Sequence, residues 1–151
     1  MLRKTISFIW EKTPPFLRMR AIRATQQKFT VSVAAVITDH EKKVLLLDHV
    51  LRPFYNWGLP GGFMEPNEQP EAAIRRELAE ETGLELKNIK MIRVRTVARH
   101  VEILFRAESV GIAAVKSREI NALGWFTFAE MPDKISAAQR ALIENVLHGE
   151  I

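Results

Sequence analysis

Cysteine is absent from the 151 residues. That excludes a disulfide scaffold, thiolate metal sites and a cysteine nucleophile, and it fits a reducing compartment, so the cytoplasm is the expected location. Tyrosine occurs once, at Tyr55. No apolar run approaches the roughly 20 residues that span a bilayer. The patch in "MLRKTISFIWEKTPPF" meets Glu11 and Lys12 too early for a signal core of about 7–15 residues. Repeats, low-complexity tracts and long linkers are missing as well. A chain of this length is expected to fold as one domain with a full hydrophobic core.

Charge is unevenly spread. The net charge is +4, yet residues 1–28 carry seven Lys/Arg (Arg3, Lys4, Lys12, Arg18, Arg20, Arg23, Lys28) against Glu11 alone, which leaves +6 there and −2 in the remainder. The chain therefore divides into a basic N-terminal extension, 1–28, and a main domain, 29–151. A basic segment attracts RNA, anionic lipid or a polyanionic substrate. The plainer expectation is a helix that packs on the domain with its charges in water. Its apolar residues Ile6, Phe8, Ile9 and Trp10 would then cap the core or join two copies as a homodimer.

Pro14-Pro15 breaks this segment, and "FLRMRAIRATQQKF" after it reads as a short helix with Phe16, Leu17, Met19 and Ile22 near one side. "FTVSVAAVIT", rich in β-branched residues, reads as a buried strand. "DHEKK" is a turn and "VLLLDHV" a second strand, so a hairpin is expected. "LRPFYNWGLPGGFMEPNEQP" is loop-rich. Pro70 suits the first turn of a helix that Gly83 ends. "LELKNIKMIRVRTVA" and "HVEILFRAESV" read as strands, the first alternating at Met91, Arg93 and Arg95. "NALGWFTFAEMP" is a short strand running into a turn. "SAAQRALIENVLHG" is an amphipathic helix capped by Ser136 and closed by Gly149. Strands mixed with one central and one terminal helix indicate an α/β or α+β sandwich on a mixed sheet.

The segment "GFMEPNEQPEAAIRRELAEETGL", Gly62 to Leu84, holds the chemistry. Glu77, Glu80 and Glu81 lie at i, i+3 and i+4 and share one helix face. Like charges so placed repel, and a divalent cation removes the penalty. Hard carboxylate oxygens without Cys or His select Mg²⁺ or Mn²⁺ over Zn²⁺, and Mg²⁺ completes its shell with water and phosphate. Arg76 can pair with Glu80 or reach back to Glu68. Gly61 and Gly62 let the backbone approach closely or take positive φ.

This segment resembles the Nudix box of the MutT-like hydrolases, G-x5-E-x7-R-E-U-x-E-E-x-G-U, where U is a bulky aliphatic. Gly62, Glu68, Arg76, Glu77, Leu78, Glu80, Glu81, Gly83 and Leu84 occupy every fixed position. At roughly 7% per common residue, the seven fixed identities arise by chance about once in 10⁸ starting points. The resemblance implies the α/β/α sandwich of the family over Phe29 onward, with the box as a loop–helix–loop. It implies Glu77, Glu80 and Glu81 as metal ligands, and Glu68 with Arg76 as a structural pair. It implies hydrolysis of a nucleoside diphosphate linked to another moiety, by water and Mg²⁺ or Mn²⁺. Metal ions neutralise pyrophosphate oxygens and lower the pKa of bound water, and a carboxylate accepts the proton.

Which carboxylate is the base stays open among Glu80, Glu81 and Glu119. Glu119, six residues before Trp125, is a further candidate ligand or base; its plain reading is a loop acid in "KSREIN". Glu102 and His100 are weaker candidates, read first as an outward strand residue and a structural histidine. Glu65 and Glu71 are expected in solvent. Trp57, just before "GLPGG", is a candidate substrate contact with Gly61 and Gly62, whereas Trp125 is expected in the core and Trp10 as an anchor of the N-terminal helix. The proline and tyrosine that mark some subfamilies downstream of the box would fall in "ARHVE", which holds neither, and the NADH-type motif is missing. The substrate reading is therefore a nucleoside di- or triphosphate derivative. Removal of pyrophosphate from an RNA 5′ end and nucleotide sensing without turnover are the alternatives.

Overall fold

The computed structural model describes residues 2–150, with side chains from residue 7 onward. Ile6 lies outside the described side chains. The central strand is β1 (Thr30–Thr38), a run of β-branched residues and alanines. It pairs in parallel with β6 (His100–Val110) in unbroken register from Thr30–His100 to Thr38–Glu108. β6 also pairs antiparallel with β5 (Glu85–Val97), which forms one edge. On the other side of β1 lie β2 (Val44–His49), β3 (Trp57–Gly58) and the short β4 (Gly61–Phe63), while β7 (Ile120–Phe126) runs along β2. The result is one mixed seven-stranded sheet.

Both faces of the sheet are covered. Helix α3 (Pro70–Thr82) buries Ala73, Ile74 and Leu78 in a cluster with Val33, Ile37, Leu45, Leu47 and Phe105. Helix α4 (Ala137–Leu147) buries Leu142, Ile143 and Val146 against Val36, Val44, Leu46 and Leu104. This is the α/β/α sandwich. Ser136 caps α4, accepting the Gln139 N–H at 3.2 Å. Trp125 packs against the α3-side core, as expected.

One expectation is met in a narrower form and two need correction. The hairpin of β1 and β2 is antiparallel, but the two strands share only the Thr38–Val44 pair. The rest of that edge of β1 is taken by β4, through Ser32–Phe63, Val33–Gly62 and Ala34–Gly61. The alternation read in β5 fails. Register shifts between Lys87 and Lys90 and between Met91 and Arg93 turn its burial toward a three-residue spacing, Ile89, Ile92 and Arg95. A bulge inserts an extra residue and so moves side chains to the other face.

The second correction concerns the packing of the N-terminal segment, which forms helices α1 (Leu2–Lys12) and α2 (Pro15–Thr25). None of residues 7–29 is buried. Phe16, Leu17, Met19 and Ile22 are all exposed, and Trp10 is 41% exposed and not part of either core cluster. Among the described residues, no helix is long and apolar enough to cross a membrane.

Leu78 joins α3 to the sheet and is fully buried. Leu78→Ala is expected to lower unfolding free energy by about 2–5 kcal/mol, read as a lower urea midpoint at unchanged slope.

Candidate functional site

A cleft of about 730 Å³ opens where α3 passes over β1 and β4. Its walls bring together Glu77, Glu80 and Glu81 from α3, Gly61 and Gly62 from β4, Ser32 from β1, and His100 and Glu102 from β6. Glu119, from the loop before β7, also reaches it. A larger hollow of about 1000 Å³ lies around the Asp39–Lys42 turn and holds no residue of the glutamate segment. Chemistry rather than size therefore selects the smaller cleft.

Arg76 organises the α3 side. Its Nε and Nη2 donate to the two Glu68 carboxylate oxygens at 2.8 and 3.0 Å, a bidentate pair. Nη2 also donates to the Phe63 carbonyl at 3.1 Å, and Nη1 to Glu77 at 2.9 Å. A longer contact of 3.4 Å reaches Glu80. Both sequence-level pairings thus occur, with Glu68 the stronger partner. The Arg76 guanidinium, helped by the Glu65 N–H, pulls the Glu68 carboxyl from its ordinary 4.5 down to about 2.

The three helix carboxylates differ in environment. The Glu80 side chain is 61% exposed, that of Glu77 only 16%. Glu81 is buried and accepts one backbone N–H, from Gly61 at 3.2 Å. Burial pushes its pKa up to about 7, with Glu77 and Glu119 adding repulsion. Burial also raises Glu77, against the pull of Arg76. Two glycines make room for this packing. A Cβ on Gly62 would fall 2.5 Å from the Glu77 carboxyl carbon. Gly61 has φ 141° and lies so close to the Val33 carbonyl that a side chain would strike it.

The remaining residues sort clearly. His100 has both ring nitrogens engaged, with Thr30 Oγ1 at 2.8 Å and Ser32 Oγ at 2.9 Å, so it is a positioned residue without a free nitrogen. Glu102 accepts from Arg95 at 2.6 Å. Glu71 stays on the surface, paired with Arg75. Trp57 is not brought to the cleft. It stands edge-on to Phe126 at 5.3 Å, in the α4-side cluster.

Two cleft residues had no sequence signal. Arg52 follows β2 in a proline-containing loop and lines the cleft, and among the described residues no carboxylate lies within salt-bridge range of it. His49, at the end of β2, is buried with Nε2 unpartnered. Burial, with Arg52 nearby, lowers its pKa to about 4, so the ring is neutral at pH 7.

The donor set suits a hard divalent ion. It is all carboxylate oxygen, and at Glu81 burial and the neighbouring carboxylates disfavour the bare anion. Among the described residues no three acidic or histidine side chains close on one point as they stand. An ion held here would draw part of its shell from water and phosphate, as Mg²⁺ does.

Comparison with known proteins agrees with this geometry. The NUDIX domain family model matches residues 28–146. A MutT-like protein from Streptomyces ambofaciens is 29% identical over 122 residues, covering 80% of this chain and 78% of its own. An RNA pyrophosphohydrolase from Bartonella henselae is 29% identical over 114 residues, 71% of this chain and 64% of its own. The crystal structure of a MutT NUDIX hydrolase from Burkholderia pseudomallei superposes with TM-score 0.69 at 29% identity, over 80% of this chain and 99% of that one. The chain belongs to the Nudix family of hydrolases, enzymes that act on pyrophosphate-containing compounds. Substrates of the family are nucleotide derivatives, and its members generally use divalent ions such as Mg²⁺ or Mn²⁺.

Because its folded-state pKa is depressed, Glu68 contributes stability that is fully present above about pH 4.5 and lost as pH falls through about 2. In Arg76→Ala the Glu68 carboxyl should titrate near 4.5 instead, which carboxyl ¹³C NMR titration reads directly.

Proposed function

We propose that this protein is a metal-dependent pyrophosphohydrolase acting on a nucleoside di- or triphosphate derivative by water attack. One observation supports it above the others: Glu77, Glu80 and Glu81 stand along one side of α3 and face the same cleft as Glu119 and the Arg52 guanidinium. Glu77, Glu80, Glu81 and Glu119 are the residues that would hold Mg²⁺ or Mn²⁺. A bound ion supplies charge neutralisation of the pyrophosphate and a more acidic water.

The chain's own groups do the rest. The Arg76–Glu68 pair fixes the loop against the helix, so that Gly61 and Gly62 form one wall. Arg52 offers planar N–H donors to phosphate oxygens in the cleft. The base is one of Glu80, Glu81 and Glu119. Exposed Leu51 and Phe63 at the cleft lip offer apolar surface to a base or other leaving moiety. The cysteine-free composition fits the cytoplasm.

The relative from Bartonella henselae, of which this chain spans 64%, supports one second reading, a pyrophosphohydrolase on RNA 5′ ends. It predicts release from 5′-triphosphate RNA with a steep salt dependence.

The test is phosphate and pyrophosphate release from a panel of nucleotide derivatives and 5′-triphosphate RNA, with Mg²⁺ and then Mn²⁺. Wild type should turn over one class, and Glu80→Gln and Glu81→Gln should each lose about 10²-fold or more in kcat. A full panel without turnover, alongside nucleotide binding by calorimetry, would point to a sensor and overturn the hydrolase reading. Arg52→Gln should cost about 10-fold or more in kcat/KM, as expected for one lost charge-assisted bond of roughly 1.5–3 kcal/mol. An unchanged kcat/KM would remove Arg52 from the site.

A further inference from the structure

Residues 7–29 form a surface that the sandwich leaves uncovered. Phe8 is 61% exposed, Ile9 60%, Trp10 41% and Phe16 64%, and Leu17, Met19, Ile22 and Phe29 are exposed with them. Soluble surfaces show such residues singly; a run of eight in 22 positions calls for a covering partner. Interleaved among them are Lys12, Arg18, Arg20, Arg23 and Lys28, with Glu11 the one acid of the stretch. None of these five cations has a carboxylate within salt-bridge range among the described residues. Lys12 instead lies over the Phe8 ring, 5.9 Å from its centre.

The partner must offer an apolar medium and negative charge together. A second copy offers its own basic segment, which repels, or a main domain with a charge of only −2. Single-stranded RNA offers charge and stacking bases, but no cover for Ile9, Leu17, Met19 and Ile22. A bilayer surface containing anionic lipid offers both. Aromatic and aliphatic side chains enter the boundary between headgroups and acyl chains, and Lys and Arg remain among the headgroup phosphates.

We propose that residues 7–29 seat this protein on an anionic membrane surface, as a peripheral contact and not a span. The two helices, broken at Pro14–Pro15, lie in the interfacial plane. The proposal is independent of the substrate, because no residue of the segment lines the cleft.

Flotation of the full-length protein with vesicles tests it. Binding to phosphatidylcholine vesicles containing about a third phosphatidylserine should exceed binding to pure phosphatidylcholine by at least about tenfold, and should weaken steeply with salt. Trp10 emission should shift to the blue on binding, and Trp10→Phe should abolish that shift. A variant carrying Phe8→Ser, Ile9→Ser and Phe16→Ser should lose vesicle binding at least about tenfold while its thermal unfolding midpoint holds, since these positions are exposed. Equal binding to neutral and anionic vesicles, or no binding to either at low salt, overturns the proposal. So does a concentration-dependent dimer in sedimentation velocity that the triple variant dissociates, which assigns the surface to a second copy. RNA binding that the triple variant weakens, without vesicle binding, overturns it equally.

Discussion

The Arg76 guanidinium is the constraint on which the site depends. One planar cation joins Glu68 in the loop, the Phe63 carbonyl at the end of β4, and Glu77 on α3. Arginine suits this role because its donors form a rigid fork that matches a carboxylate bidentately while a remaining N–H reaches another acceptor. Lysine, a point charge on a flexible stem, could not hold three elements in one geometry. With the fork in place, the loop before α3 is fixed and β4 stays along β1.

That fixation lets carboxylates be placed where they are electrostatically unfavourable. Glu81 is buried with a single N–H donor, and Glu77 is pressed toward Gly62. In the folded protein alone such placement costs stability, since burial favours the neutral acid. The core beneath α3 offsets it, with Ala73, Ile74 and Leu78 wholly buried at neighbouring positions of the same helix. One helix thus carries the apolar residues that anchor it and, beside them, the carboxylates that line the cleft. Anchor and polar site share the same thirteen residues.

The glutamate segment was legible because its contacts are local. Glu77, Glu80 and Glu81 share a face by helical periodicity, and Glu68 lies eight residues from its arginine. The sandwich was legible from the apolar patterning of β1, β2 and α4. The partners of β1 were not. Nothing in "FTVSVAAVIT" says that the chain should add β6 in parallel some 70 residues later, or yield half an edge to three residues of β4. The bulges of β5 hid from a period-two reading because edge strands tolerate extra residues. Trp57 was drawn toward the site by its neighbours in sequence, yet strand pleating sends its ring to the α4 side, against Phe126.

The sequence by itself determined the reacting groups and their spacing, because a helix converts spacing into a shared face without help from the rest of the fold. It also determined that the positive charge gathers in residues 1–28. Only the tertiary structure decided which other side chains meet the helix face. Arg52, His49 and Glu119 reach one cleft because β2 and β7 are antiparallel, so that the end of β2 at His49 pairs with the start of β7 at Ile120. Only the tertiary structure decided, too, that the basic segment stays uncovered, since both faces of the sheet are already filled by α3 and α4. Contacts between distant segments follow from strand order and layer packing, and neither is written in any single stretch of residues.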